Sequence, residues 1–317
     1  MTSAANVYPH MKVHLHPWRE DFRKNGILYL LFLPVAVFFI VFHYIPMVGI
    51  FMAFEDYSYV EGLLGSKWLG LQNFIELFEG DMFLPALRNT FIMSLFKITF
   101  AFIAPVLLAL VVSQLRSKRY SRVVQTITYM PYFVSTVVVC SLAKEFLGYS
   151  GGITRLLCAL GLEQQNWLAN NRPPIFWVIW CLIEIWRGAG QGSIIYIAAI
   201  AGINGDLHEA AVIDGANRWQ RVWKITFPCI LPIVVMMFTL QVGLAFRMGY
   251  DSILLLYMPS TYDVADCLHT YTYRMAFGTT TNYSLSTASG LFQSVIATTL
   301  LIVSNTLNRK ASSLSLF

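Results

Sequence analysis

Charged residues are scarce in this chain. They make up 12% of its 317 residues, against about 25% in typical soluble domains, while hydrophobic residues reach 56%. Such a composition excludes an ordinary soluble domain and indicates a membrane protein. The net charge of +5 is therefore not a sign of nucleic-acid binding, because what matters is how the charge is distributed along the chain.

Several chemical signatures are also missing. The five cysteines contain no Cys-x-x-Cys pair and no adjacent histidine cluster, so neither a disulfide framework nor a metal site is expected. Gly-x-Ser-x-Gly, His-Glu-x-x-His and the phosphate-binding Gly-x-x-x-x-Gly-Lys-Ser/Thr pattern are absent. We therefore expect no enzyme activity, no cofactor in this chain and no ATP hydrolysis by this chain alone.

The first 25 residues hold basic and histidine side chains without an apolar core, so we expect no secretory signal peptide before the first apolar run. Residues 1–25 are predicted to be a cytosolic tail, and Trp18 and Phe22 indicate a short segment at the lipid headgroups. The alternative is that its three histidines bind a metal ion.

Six apolar segments approach the roughly 20 residues that a membrane-spanning helix needs. The prediction is an all-α polytopic membrane protein whose transmembrane domain covers residues 26–317, in one domain without repeats. The predicted spans are about 26–54, 90–112, 126–143, 176–200, 227–246 and 285–307.

Basic residues predict the orientation. Thirteen of the 22 Lys and Arg residues fall in the two termini, the loop after the second span and the loop before the fifth. The loop after the first span instead carries six acidic residues. Because loops rich in Lys and Arg stay in the cytosol, both termini and the loop 203–226 are predicted to be cytosolic, in a multi-pass plasma or inner membrane protein.

Loop 203–226 is the longest polar interval in the second half of the chain. A short helix is predicted from Asp206 to Asp214, with Asp206 as its N-terminal cap in a capping box with Glu209. Gly215 should end this helix in a left-handed conformation. A second helix is predicted over Ala216–Lys224, which makes the loop a compact protrusion.

The spacing in this loop is specific. Glu209-Ala210-Ala211 is followed, after gaps of three, nine and two residues, by Gly215, Ile225 and Pro228. The pattern resembles the EAA loop of ABC importer permeases, and Asp214-Gly215-Ala216 matches the carbohydrate importers. Phe227 departs conservatively from the usual Leu. Residues 67–74 look like their Trp-x-Gly-Leu-x-Asn-Phe element, although an amphipathic interfacial helix would give a similar pattern.

The chain from about residue 26 resembles a maltose-permease-like permease of the oligo- and polysaccharide branch, with a type I ABC importer fold. The resemblance implies a second homologous permease, two ATPase subunits that bind ATP and Mg, an extracytoplasmic solute-binding protein, membrane lipid and a sugar substrate as partners. No nucleic-acid partner is expected. It also implies that an EAA coupling helix contacts an ATPase through Glu209, Ala210, Ala211, Asp214, Gly215 and Ala216.

Charged side chains inside spans are costly and usually face the bundle interior. Span four carries a helical stripe of Trp180, Glu184, Arg187 and Gln191, and span two carries Lys97. These five side chains are candidates for a sugar pathway, because sugars bind aromatic faces and polar networks. The alternative is a structural ion pair of Glu184 with Arg187. Glycines after Arg187 allow close helix approach or a local break.

Two other functions remain open at this point. The same architecture could import a non-sugar solute such as a polyamine, although only one acidic residue, Glu184, lies well inside a span. A stand-alone secondary transporter would leave the EAA-like loop unexplained.

Overall fold

The computed structural model describes residues 18–246, 250–279 and 281–312. Helices make up almost all of this part, with one small two-stranded ribbon, so the all-α prediction is confirmed. In chain order the helices and strands are α1 Trp18–Phe39, β1 Glu55–Asp56, α2 Gly62–Gly65, β2 Lys67–Trp68, α3 Gln72–Glu79, α4 Phe83–Phe96, α5 Phe102–Ser113, α6 Lys118–Tyr129, α7 Thr136–Leu147, α8 Gly152–Ala159, α9 Pro173–Ala201, α10 Gly205–Ile213, α11 Arg218–Arg221, α12 Phe227–Ala245, α13 Tyr250–Leu256, α14 Tyr262–Ala265, α15 Leu268–Phe277 and α16 Tyr283–Ser312.

The chain divides into two compact units, and the first ends at Phe51. Its helix α1 is kinked at Asn25, whose φ of −115° and ψ of 18° are not helical. A π-helical turn at Ile40–Tyr44 and a 3₁₀-helix at Ile45–Phe54 follow, so the helix changes type directly before Pro46. The three histidines of the predicted tail lie outside the described residues.

Four helical runs in the described residues are long and apolar enough to span a membrane, and each contains or closely matches a predicted span. Two of them begin seven or more residues earlier than predicted, at Phe83 rather than residue 90 and at Arg218 rather than residue 227. Both contain a π-helical turn that lets the helix continue without a break. The four runs are Asp21–Phe54, Phe83–Ser113, Arg218–Ala245 and Tyr283–Asn308.

The third predicted span, 126–143, is not one straight helix. Lys118–Phe133 and Thr136–Ala159 meet at 94°. Pro131 lacks an N–H for helix continuation, and Val134 is extended with ψ of 133°. The fourth, 176–200, is the core of the 29-residue α9, which is long enough to cross a bilayer but less apolar than the four runs above. The count of six spans therefore stays a prediction.

Two glycines of α9 allow close contact with neighbouring helices in the second unit. A Cβ on Gly190 of α9 would lie 1.9 Å from the Thr128 carbonyl oxygen of α6, and one on Gly192 would lie 3.0 Å from Pro105 of α5. Helix α9 continues without interruption through this stretch. Of the two predicted roles for these glycines, close helix approach is the one that the structure shows.

Candidate functional site

Asn204 caps the short helix α10 at the centre of loop 203–226. Its side chain accepts a hydrogen bond of 3.1 Å from the Asp206 N–H, and its own backbone is extended with ψ of 124°. The prediction that Asp206 caps this helix in a box with Glu209 is wrong, because Asp206 is already in the first helical turn. There its carboxylate still favours the helix, since it lies at the positive end of the helix dipole.

Gly215 ends α10, as predicted, in the left-handed region with φ of +77°. The Gly215 N–H donates to the Val212 carbonyl at 3.1 Å, and the Ala216 N–H donates to the Ala211 carbonyl at 2.8 Å. These two bonds form a Schellman motif, which satisfies carbonyls that a helix end would leave unpaired. The helix is therefore closed at both ends by local hydrogen bonds.

The segment after Gly215 is not the separate helix predicted over Ala216–Lys224. Asn217 and Gln220 form a capping box, with hydrogen bonds of 2.9 and 2.7 Å. The helix starts at Arg218 and runs through a π-helical turn, Val222–Thr226, into α12. Pro228 does not end this helix, which continues from Arg218 to Ala245 across the π-helical turn directly before the proline.

Helix α10 contains no buried residue. Leu207, Val212 and Ile213 are all exposed, and Ile213 keeps 86% of its surface accessible. Glu209 is also exposed and makes no ion pair with another described residue. A nine-residue helix with closed ends and apolar side chains directed outward has a surface suited to a partner protein.

Arg218 connects this loop to the end of α5, because its guanidinium donates to the Gln114 carbonyl at 2.6 Å. Gln114 directly follows α5, so a cation at that position also compensates the negative end of the α5 dipole. The contact joins the base of α11 to the end of a second long helix.

In span four, the predicted stripe forms a hydrogen-bonded chain with α13. The Trp180 indole donates to the Ser252 hydroxyl at 3.1 Å, and Ser252 donates to the Glu184 carboxylate at 3.1 Å. Trp180 is only 1% exposed. Its expected place on a sugar pathway is not seen in this structure, because Ser252 and the apolar core around it cover the indole.

The rest of the stripe is more accessible. Arg187 lies 3.9 Å from the Glu184 carboxylate, and about a fifth of each side chain is exposed. Arg187 also donates to the Thr136 hydroxyl of α7 at 2.9 Å. Lys97 interacts electrostatically with Glu184, and Gln191 is exposed. The sequence did not predict Ser252 and Thr136 as hydrogen-bond partners of span four, because no motif surrounds either residue.

At the end of the second unit opposite α10, the Trp-x-Gly-Leu-x-Asn-Phe element forms a clasp. β1 and β2 pair antiparallel with Glu55 opposite Trp68. The buried Asn73 amide donates to the carbonyls of Ala53 and Glu55 at 3.0 and 2.9 Å, and Gly70 makes the turn with φ of +63°. The element therefore has a structural role, in which Asn73 binds the backbone that enters the ribbon.

A buried ion pair organises the aromatic segment 250–279. Arg274 donates to Asp266 at 2.6 Å, and Thr270 donates to the other Asp266 oxygen at 2.6 Å. Arg274 also lies 4.8 Å from the ring centroid of Tyr262. Burial raises the pKa of nearby Tyr257 to about 12. Burial also raises the pKa of the Asp266 carboxyl, and the charge of Arg274 with the hydrogen bonds from Arg274 and Thr270 opposes that rise.

A groove of about 590 Å³ lies along α9 beside α7 and α8. Its lining is apolar, with Trp167 and Trp186 at its sides. Its lining residues offer no set of hydrogen-bonding groups for a sugar. No group of His, Cys, Asp and Glu in the described residues is arranged to hold a metal ion.

Comparison with known proteins agrees with this architecture. Residues 101–310 match the family described as "Binding-protein-dependent transport system inner membrane component". The chain is 37% identical over 288 residues to the polygalacturonan/rhamnogalacturonan transport system permease protein YteP of Bacillus subtilis, covering 90% of this chain and 89% of that one. It is 35% identical over 304 residues to protein LplB of the same organism, covering 95% and 94%.

Solved structures are similar over nearly the whole chain. A crystal structure of a bacterial ABC transporter for import of the acidic polysaccharide alginate contains a chain with TM-score 0.85 and 36% identity, covering 93% of this chain and 99% of that one. A second, of a bacterial alginate ABC transporter in complex with an alginate pentasaccharide-bound periplasmic protein, gives 0.86 and 35%, covering 95% and 100%. The chain belongs to the family of binding-protein-dependent transport system inner membrane components.

Proposed function

We propose that this chain is a permease subunit of an ATP-driven importer of oligosaccharides. It pairs with a second permease, receives its solute from an extracytoplasmic binding protein and is driven by two ATPase subunits that bind ATP and Mg. The observation that carries this proposal is α10, whose capped ends, exposed apolar side chains and EAA-like sequence suit a docking helix. The chain itself catalyses no reaction.

Helix α10 transmits motion because it is a closed, compact element. Ile213 and Leu207 enter a groove of the ATPase, Ala210 and Ala211 allow close approach, and Glu209 pairs with a basic residue there. The base of the loop is continuous with α12 through the π-helical turn and is bound to α5 by Arg218. A displacement of α10 therefore reaches two spans and switches the pathway between inward and outward access.

The orientation follows the basic residues. We place the α10 end in the cytosol, together with both termini, because that end carries the loops rich in Lys and Arg. The ribbon, the Asn73 clasp and segment 250–279 then lie outside, where the binding protein docks. The Asp266–Arg274 ion pair lies within that outer segment.

The solute pathway runs past Glu184, Arg187, Gln191 and Lys97. Two cations and one anion at this level favour a substrate that carries carboxylates. One relative is named for the transport of polygalacturonan and one solved structure for the import of alginate, and both of these polysaccharides are acidic. We therefore favour an oligosaccharide with uronic acid units. Neutral sugars are the alternative within the same architecture.

Co-purification tests the assembly. The chain, tagged at its C-terminus and extracted in mild detergent, should bring a second permease and an ATPase, identified by mass spectrometry. Reconstituted vesicles should then take up labelled oligogalacturonate in an ATP- and binding-protein-dependent manner. A homo-oligomer that moves solute without an ATPase would instead identify a secondary transporter.

A further inference from the structure

A cleft of about 300 Å³ opens at the α10 end, between the end of α5, the end of α9 and the start of the long helix Arg218–Ala245. Its basic lining residues are Arg116, Arg218, Arg221 and His208, and no acidic residue is among those that line it in the described chain. Three guanidinium groups around one small cleft repel each other unless an anion lies between them.

Two of these basic side chains have no polar partner among the described residues. Arg218 is bound to the Gln114 carbonyl. Within the described residues, however, the side chains of Arg116 and Arg221 form no hydrogen bond and no ion pair. The Arg221 Nε is fully buried without a hydrogen-bond partner. A buried, unpaired guanidinium donor is costly, and an anion that enters the cleft would remove that cost.

A second cleft of about 360 Å³ adjoins the first and shares Ser113, Leu115 and Ile200 with it. One wall is apolar and comes from α5 and α9, with Val112 and Ile197. The other wall comes from α6 and carries the basic side chains of Lys118 and Arg122. The combined surface is therefore basic on one side and apolar on the other, at the level where α5 and α9 end.

This amphipathic pattern matches a lipid better than a free anion, because inorganic phosphate has no apolar part that could contact the apolar wall. Basic pockets between helices at a membrane surface are suited to phospholipid headgroups. We propose that the joined clefts bind an anionic phospholipid, with its phosphate at Arg116 and Arg221. The first methylenes of its acyl chains lie against Val112, Ile197 and Ile200.

The binding test uses the purified full-length chain with its partners and a soluble lipid, dioctanoyl-phosphatidylglycerol, titrated against dioctanoyl-phosphatidylcholine and inorganic phosphate. The double variant Arg116→Gln/Arg221→Gln should weaken phosphatidylglycerol binding at least about tenfold, because two cations near the headgroup are lost. Control variants are Arg119→Gln and Lys224→Gln, which remove exposed charges that line neither cleft. They should change binding by less than about twofold.

Two further measurements make the result decisive. Arg221→Lys, which keeps the charge but loses the planar donor fork, should bind with an intermediate constant. If the double variant does not fold, the single variant Arg116→Gln tests lipid binding instead, because replacing this exposed side chain should not disturb folding. Equal binding by the double variant and the controls would overturn the proposal. So would phosphate that binds as tightly as the lipid, or loss of the ATPase from the double variant with unchanged lipid binding.

Discussion

Replacing Gly215 by alanine tests whether α10 acts as a rigid element. The glycine has φ of +77°, and an L-residue in the left-handed region costs roughly 1–2 kcal/mol. A nine-residue helix has little intrinsic stability in water, and α10 has no buried residue to compensate. We therefore expect Gly215→Ala to open α10 about 5- to 30-fold more often when no partner is bound.

The chain offers a matched control at the other end of the same helix. Gly205 is the first residue of α10, has an ordinary φ and would place an alanine Cβ in open space. Gly205→Ala should therefore leave α10 unchanged or stabilise it by up to about 1 kcal/mol. The same substitution thus has opposite expected effects at the two ends of one helix.

Hydrogen exchange followed by mass spectrometry in nanodiscs measures the opening of residues 205–216, and coupled ATPase activity measures transmission. Gly215→Ala should exchange faster and lose solute-stimulated ATPase activity, while Gly205→Ala keeps both at the parent level. Gly215→Pro should abolish transport altogether, because proline cannot adopt φ of +77° or donate to Val212. Normal sugar uptake by Gly215→Pro would refute the assignment of α10 as the coupling helix.

Three other substitutions test the interior. Gly190→Ala places a methyl group against a backbone carbonyl and should sharply lower the melting temperature of the detergent-solubilised protein. The control Gly188→Ala places its methyl group in open space and should leave the melting temperature unchanged. Equal melting temperatures for the two variants would contradict the close packing of α9. Asp266→Ala leaves a half-buried Arg274 without its ion-pair partner and should lower the free energy of unfolding by about 3–5 kcal/mol. Adding Arg274→Met should restore much of that stability, and a double-mutant cycle measures the interaction energy between the two residues. Glu184→Gln preserves the acceptor for Ser252, so assembly should persist while the apparent affinity for solute changes; loss of assembled protein would instead make this residue structural.

The sequence located loop 203–226 and its left-handed glycine because both depend on local chemistry. It chose the wrong cap, since Asn204 and Asp206 are equally good capping residues and only the backbone conformation decides between them. It also separated α11 from α12. The predicted helix over Ala216–Lys224 and the span from residue 227 are one run, because a π-helical turn connects them without a break.

The interior of span four could not be read from the chain. Helical spacing correctly placed Glu184 and Arg187 on one face. Ser252, which lies 68 residues beyond Glu184, covers Trp180, and Thr136 binds Arg187 from the other direction. Such contacts depend on how the helices pack, and the local sequence around a serine or threonine does not predict which distant residue it contacts.

The π-helical turn Val222–Thr226 has a consequence for insertions and deletions. It contains one residue more than an α-helical turn, as the Phe227 N–H donates to the carbonyl of Val222, five residues back. The extra residue is held within this one turn, so deleting one residue there would restore α-helical geometry and leave loop 203–226 facing nearly the same direction. Deleting a residue from the regular α-helical part of α12 would instead rotate the loop by about 100° around the helix axis. The π-helical turn is thus the position in this long helix where a change of one residue in length leaves the direction of the docking helix nearly unchanged.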